Sequence, residues 1–226
     1  MGEIITIIMI FLTLLTIFCL HKTFDKRGLY FSVVIFSLIS FILSFKISVV
    51  LKMNINTSII ILPEIFTIFY IFIIKYGYKD INDLLKITFY ANITTSIIIA
   101  IMNIFVPTIT ETISINMQGT FEYNYKILII YPFIILLSEI VTTKIYKIIS
   151  IIQNNNLICI CLTYIITALL YTVIYTVLSY INILEIKKSL FLGVSTYIIG
   201  LAITIINAIY VTLLVNKKVK KWKISF

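Results

Sequence analysis

Residues 61–80 read ILPEIFTIFYIFIIKYGYKD, and the reading of this stretch decides the fold class. From Ile61 to Ile74 it is apolar apart from Glu64, Thr67 and the hydroxyl of Tyr70. It does not alternate, so it is not a strand with one wet face. Then Lys75-Tyr76-Gly77-Tyr78-Lys79-Asp80 follows without transition. An apolar run that ends abruptly in charge is the pattern of a helix leaving a hydrocarbon layer.

The rest of the chain repeats the pattern. Of its 226 residues, 61% are hydrophobic and 12% charged, and the mean hydropathy is +1.13. A soluble domain carries about twice that charge. The excess recurs in blocks of about 17–25 residues, the length that crosses a ~30 Å core at 1.5 Å per residue. A β-barrel needs alternating strands of ~10 residues, and runs such as Ile97-Ile98-Ile99-Ala100-Ile101 do not alternate. The sequence therefore predicts a single all-α domain, a polytopic membrane bundle of six to seven helices. The expected spans are about 4–20, 29–51, 59–74, 87–106, 127–149, 157–181 and 190–215, joined by short connections except Pro107 to Lys126.

The net charge of +9 is read through its location rather than as a nucleic-acid footprint. Thirteen Lys or Arg residues fall on the connections that share a side with the C-terminus, and four (Lys52, Lys126, Lys187 and Lys188) fall on the other. Positive residues collect inside, so the N-terminus is expected outside and the C-terminus in the cytoplasm. The tail Lys217-Lys218-Val219-Lys220-Lys221-Trp222-Lys223 reads as a stop-transfer flank or an anchor on anionic lipid. Glu3 has the wrong sign for the start of a cleavable signal.

Cys19, Cys159 and Cys161, with the single His21, make no spaced ligand set, so no metal or cofactor is expected. Nothing has the spacing of a hydrolase motif, and no enzyme activity is expected. Charges inside spans are costly, by ~2.5–3.5 kcal/mol or more. Lys46 and Glu64 stand at equal distances from the middle of the connection between spans two and three. An antiparallel helical hairpin would bring them to one depth as a structural ion pair. Glu139 falls near the middle of span five and suits a ligand or proton site. Span six carries Thr163, Thr167, Tyr171, Tyr175 and Ser179, each four apart. Span seven carries Gly193, Thr196, Gly200, Thr204 and Asn207 along one face, with small residues spaced for close helix contact. Ser37, Ser40, Ser44 and Ser48 form a further stripe.

The stretch quoted first also carries a resemblance. Leu62-Pro63-x-x-Phe66 followed by Tyr76-Gly77-Tyr78 resembles the VUT (YhhQ-type) family of bacterial queuosine-precursor transporters. That family has Phe-Pro-x-x-Phe, then Asp, then Glu-x-Tyr-Gly-Tyr. Lys22-Thr23-Phe24-Asp25-Lys26-Arg27-Gly28-Leu29-Tyr30 looks like its first cytoplasmic loop. Pro63, Phe66, Tyr76 and Gly77 keep the motif, while Tyr70 and Ile74 stand where the family has acids. Thr142, Tyr171 and Asn207 also stand at family acid positions, and Glu139 at a family glutamine. The resemblance implies import of a queuosine precursor or similar 7-deazapurine through the cytoplasmic membrane. The implied substrate site is Glu139, Thr142, Tyr171, Asn207 and Tyr70, and the partners are a small-molecule substrate and the lipid bilayer. Homo-oligomers or coupling subunits stay open, and no nucleic acid is expected. Two alternatives remain: a substrate-binding subunit of an energy-coupling-factor vitamin transporter, and a non-transporting membrane protein descended from the family.

Overall fold

The computed structural model describes residues 2–102, 125–181 and 184–222, with side chains as far as residue 215. Among them, seven helices are long and apolar enough to cross a membrane, and the fold is an all-α helical bundle. Helix α1 (Gly2–Phe24) and α2 (Lys26–Leu43) are joined by one residue, Asp25. A short hairpin follows, β1 (Ile47–Val50) and β2 (Met53–Asn56), then a 3-10 turn Thr57–Ile60 that leads into α3 (Leu62–Tyr76). Helices α4 (Ile81–Met102) and α5 (Tyr125–Ile152) come next. The sixth, α6, runs from Asn156 to Tyr180 and passes through a π-helical turn at Leu170–Ile174. The last, α7 (Ile186–Trp222), has 37 residues. Most of the long connection from Pro107, including Gly119, lies outside the described residues, as do the side chains of the lysine tail.

Helix α3 occupies the centre. Its span is 94% buried within the protein, whereas the first span is 28% buried and presents most of its surface outward. Apolar side chains such as Ile4, Ile7, Phe11, Phe133 and Ile206 are exposed on the outer helices. A soluble protein rarely leaves so much apolar surface uncovered; a lipid-facing one requires it.

Glycine permits the tightest helix contacts. A Cβ on Gly28 would stand 2.0 Å from the Leu20 carbonyl oxygen, so this glycine lets α1 and α2 pack across their one-residue joint. Gly193 lies against Val173 of the π turn, and Gly200 against the Tyr164 hydroxyl and Ile59. The small-residue face of the seventh span is thus a packing face, against α6 and the start of the central helix.

The two ends of the bundle are built differently. At one end the hairpin closes over α1: Leu51 N–H donates to Glu3 Oε1 at 3.2 Å. Asn56 is the knot of this end. Its backbone N–H bonds Thr196 Oγ1, its Nδ2 donates to the Ser44 carbonyl and to the Tyr180 hydroxyl, and its Oδ1 caps Ser58. At the opposite end the polar residues that close the opening stretch act as ties. Gly77, at φ 80°, stops α3 and returns its N–H to the Ile73 carbonyl. Tyr76 donates to Asp25 Oδ1 at 2.6 Å and lies 3.2 Å from His21 Nε2. Lys26 is paired with Asp80, and the Lys147 ammonium sits over the Tyr78 ring.

The second span departs from expectation. The sequence predicts helix to residue 51, but α2 stops at Leu43 and the chain turns into strand. Ile47 pairs with Asn56 and Val50 with Met53. The two-residue turn Leu51-Lys52 has φ 50° and 62°, the left-handed pair of a type I′ hairpin. The expected Lys46–Glu64 ion pair is therefore not made. Lys46 lies before β1, is exposed, and its carbonyl accepts from Thr57 N–H. Hairpin register sets Lys46 opposite Thr57. Glu64 lies seven residues further on, about two helical turns deeper.

Candidate functional site

The centre of the bundle is unusually polar for a membrane protein. Helix α5 points Tyr131, Glu139, Thr142 and Tyr146 inward, all buried. The four recur at intervals of 8, 3 and 4, close to whole turns of an α-helix, so they share one face. Tyr131 makes a T-shaped contact with Tyr175 at 5.6 Å between ring centroids and donates to Ser40 Oγ at 2.7 Å. Tyr146, two turns beyond Glu139, lies 5.2 Å from Tyr70 of α3. Glu139 and Thr142 thus stand between two aromatic contacts, one to α6 and one to α3.

Tyr70 leads on to α6. Tyr171 stacks on Phe66 at 4.8 Å and 26°, and meets Tyr164 at 5.9 Å. The four-residue ladder of the sixth span is buried throughout, from Thr163 to Ser179. Tyr171 and Thr172 lie on the π turn, where Tyr175 N–H returns to the Leu170 carbonyl. A π turn widens the helix and often marks a functional position.

What sets this region apart is missing pairing. The two carboxylate oxygens of Glu139, Thr142 Oγ1 and the hydroxyls of Tyr70, Tyr164 and Tyr171 are buried and make no hydrogen bond. A buried polar group without a partner costs about 1–3 kcal/mol, more if charged. The hydroxyl facing Glu139 is that of Thr88 on α4, and its single proton is already donated to the Leu84 carbonyl at 2.7 Å. Thr88 therefore turns lone pairs, not a donor, toward the carboxyl group.

Of the residues expected from sequence, Tyr70 and Tyr171 lie along a seam where α3 meets α5 and α6, and Glu139 and Thr142 are buried on the face of α5 whose Tyr146 reaches Tyr70. Asn207 does not join them. It is buried on α7, and it faces Glu64 of α3 together with Thr13 of α1. Pro63 and Phe66 open α3 and pack inward, whereas Tyr76 and Gly77 belong to the tied end and not to the seam. Sequence reasoning missed Tyr164, which stands two turns from Tyr171 and could have been found by that spacing, and Thr88, which lies on another helix and carries no such signal. It also missed a cavity of about 700 Å³ at the hairpin end, lined by Ile47, Asn54, Lys187, Lys188 and Phe191 among others.

Compared with known protein families, with characterised proteins and with solved structures, the chain matches none.

Proposed function

We propose that the protein is a transporter that imports a small planar base bearing several N–H donors, a queuosine precursor or similar 7-deazapurine, as a divergent member of the VUT-type family. The observation that carries this reading is the buried, unpaired Glu139 carboxyl, beside a Thr88 hydroxyl whose proton is donated elsewhere and on the helix face that carries Tyr131 and Tyr146. A ligand that satisfies such a place brings its own donors and a flat face. The carboxylate accepts from ring or amino N–H groups, and the rings of Tyr70, Tyr146 and Tyr171 offer surfaces for stacking. The location is the bacterial cytoplasmic membrane, with the N-terminus outside and the C-terminus in the cytoplasm. Supporting that orientation, Lys22, Lys26, Lys75, Lys79 and Lys147 gather at the tied end, and the positive side is the cytoplasmic one. The 700 Å³ cavity then faces outward, where an imported ligand arrives.

The test is uptake of a labelled 7-deazaguanine base, or restoration of queuosine in tRNA, in a host lacking its own importer. Wild type is expected to restore it. Glu139→Gln keeps the shape but exchanges one acceptor for a donor, and is expected to weaken half-saturation by about ten- to a hundredfold, the worth of a hydrogen bond to a charged group. Absence of uptake by wild type at verified expression rejects this substrate.

A further inference from the structure

Glu64 is the second carboxyl group enclosed by the bundle, and the ligand seam does not use it. It is fully buried in the first turn of α3, and neither oxygen makes a hydrogen bond. The side chains facing it are Thr13 and Asn207, from helices on two other sides. Thr13 gives its proton to the Ile10 carbonyl at 2.8 Å, so it offers Glu64 only lone pairs. Asn207 is 1% exposed, and both its amide atoms lack partners. Tyr210, a phenol that senses the Glu64 charge, is committed elsewhere, donating to the Leu14 carbonyl at 3.2 Å.

The three side chains share one depth. Gly2 packs on the Val49 carbonyl, and Asn56 N–H bonds Thr196 Oγ1, so α1, the approach to α3 and residue 196 of α7 begin at the hairpin end. Thr13 is eleven residues from Gly2, Glu64 eight from Asn56, and Asn207 eleven from Thr196. At 1.5 Å per residue each lies about 12–17 Å down, near the middle of a ~30 Å core.

We propose that Glu64, Thr13 and Asn207 form a sodium-ion site distinct from the ligand seam. The three side chains, from three helices, bring two carboxylate oxygens, one hydroxyl and one amide oxygen, all hard donors that suit a cation of this kind. The charge count selects a monovalent ion. Glu64 is the one carboxylate in the cluster, and no group of three or more His, Cys, Asp or Glu that could hold a metal occurs among the described residues. A coordinated ion would engage all three residues at once. Such an ion, bound where a transporter couples solute to ion, would provide a driving gradient.

The experiment uses the purified full chain in nanodiscs, with no solute present. Thermal unfolding is followed as sodium chloride replaces choline chloride at constant ionic strength and pH, and binding of radioactive sodium is measured in parallel. Sodium is expected to raise the wild-type Tm saturably, and potassium to do so at least about tenfold less effectively. Glu64→Gln should abolish both the shift and the bound radioactivity. Thr13→Val should raise the half-saturating sodium concentration about tenfold, and Glu139→Gln should leave it unchanged. A wild-type Tm that follows pH but not sodium, an equal response to potassium, or a sodium response retained in Glu64→Gln would overturn the proposal. Because solute is absent, failure here is separate from failure of the uptake test.

Discussion

At the residue scale, two glycines show how one substitution costs stability for different reasons. Gly77 has φ 80° and nothing within 4 Å of where a Cβ would be. Gly77→Ala therefore pays only for a backbone, φ 80° and ψ −170°, that glycine alone adopts readily, roughly 1–3 kcal/mol. Gly28 is helical, where alanine would ordinarily gain about 0.5–1 kcal/mol. Yet its Cβ would strike the Leu20 carbonyl, and this backbone cannot rotate away like a side chain. Gly28→Ala is expected to be the more damaging, by about 1–3 kcal/mol net, and to loosen α1 from α2. Thermal unfolding in detergent orders the two variants, and cross-linking between α1 and α2 separates them, since only Gly28→Ala should reduce its yield. Gly28 and Gly77 were both legible as family-like motif positions. Their physical duties were not, because a sequence does not reveal which backbone lies across the joint.

At the scale of the element, the helices were legible and the hairpin was not. Seven apolar blocks fix seven helices because lipid leaves the backbone no other way to satisfy itself along a lipid-facing span. Residues 44–56 are equally apolar in part, and their strand character rests on Ile47, Val49 and Val50 against Met53 and Ile55. The turn between them gives no Asn-Gly signal, since Leu51 and Lys52 occupy positions that such a pair prefers. Replacing Leu51-Lys52 by Asn-Gly is therefore expected to stabilise the protein, by about 1 kcal/mol or more, read as a higher Tm. The same oversight produced the Lys46–Glu64 expectation, which assumed helical rise on both arms. The π turn of α6 allows a sharper test. Such a turn amounts to one extra residue in an α-helix. Deleting the exposed Ile174 should let α6 close into regular helix, still long enough to cross. Membrane insertion and helical content should stay at wild-type levels, while Tyr171 leaves Phe66 and solute uptake falls at least tenfold. Loss of insertion would mean that the turn serves folding instead.

At the scale of the whole molecule, alternation was legible from charge, but the meeting of distant polar groups was not. Glu139 near mid-depth could be read from its place in span five. That Asn207 turns to Glu64 and away from Glu139 depends on which faces of α3, α5 and α7 meet, and hydropathy records depth without azimuth. The proposed orientation has a direct check. In a background without Cys19, Cys159 and Cys161, Lys52→Cys at the hairpin tip should react with an impermeant thiol reagent in intact cells. Asn155→Cys, between α5 and α6, should react only after permeabilisation. The opposite pattern would invert the molecule and place the 700 Å³ cavity on the cytoplasmic side.

The burial of α3 bears on how the protein is made. A ribosome delivers α3 before α7, one of its two main packing partners, and α5 and α6, whose tyrosines meet its rings, have been synthesised. For that interval its 94% enclosed surface must touch lipid, the translocation machinery or a holding factor, with Glu64 among the groups in transit. The nascent chain can reach its finished form only when the last helix arrives and displaces those temporary neighbours. Biogenesis is thus obliged to run through a partly built intermediate in which an apolar segment destined to be enclosed is still without its enclosure.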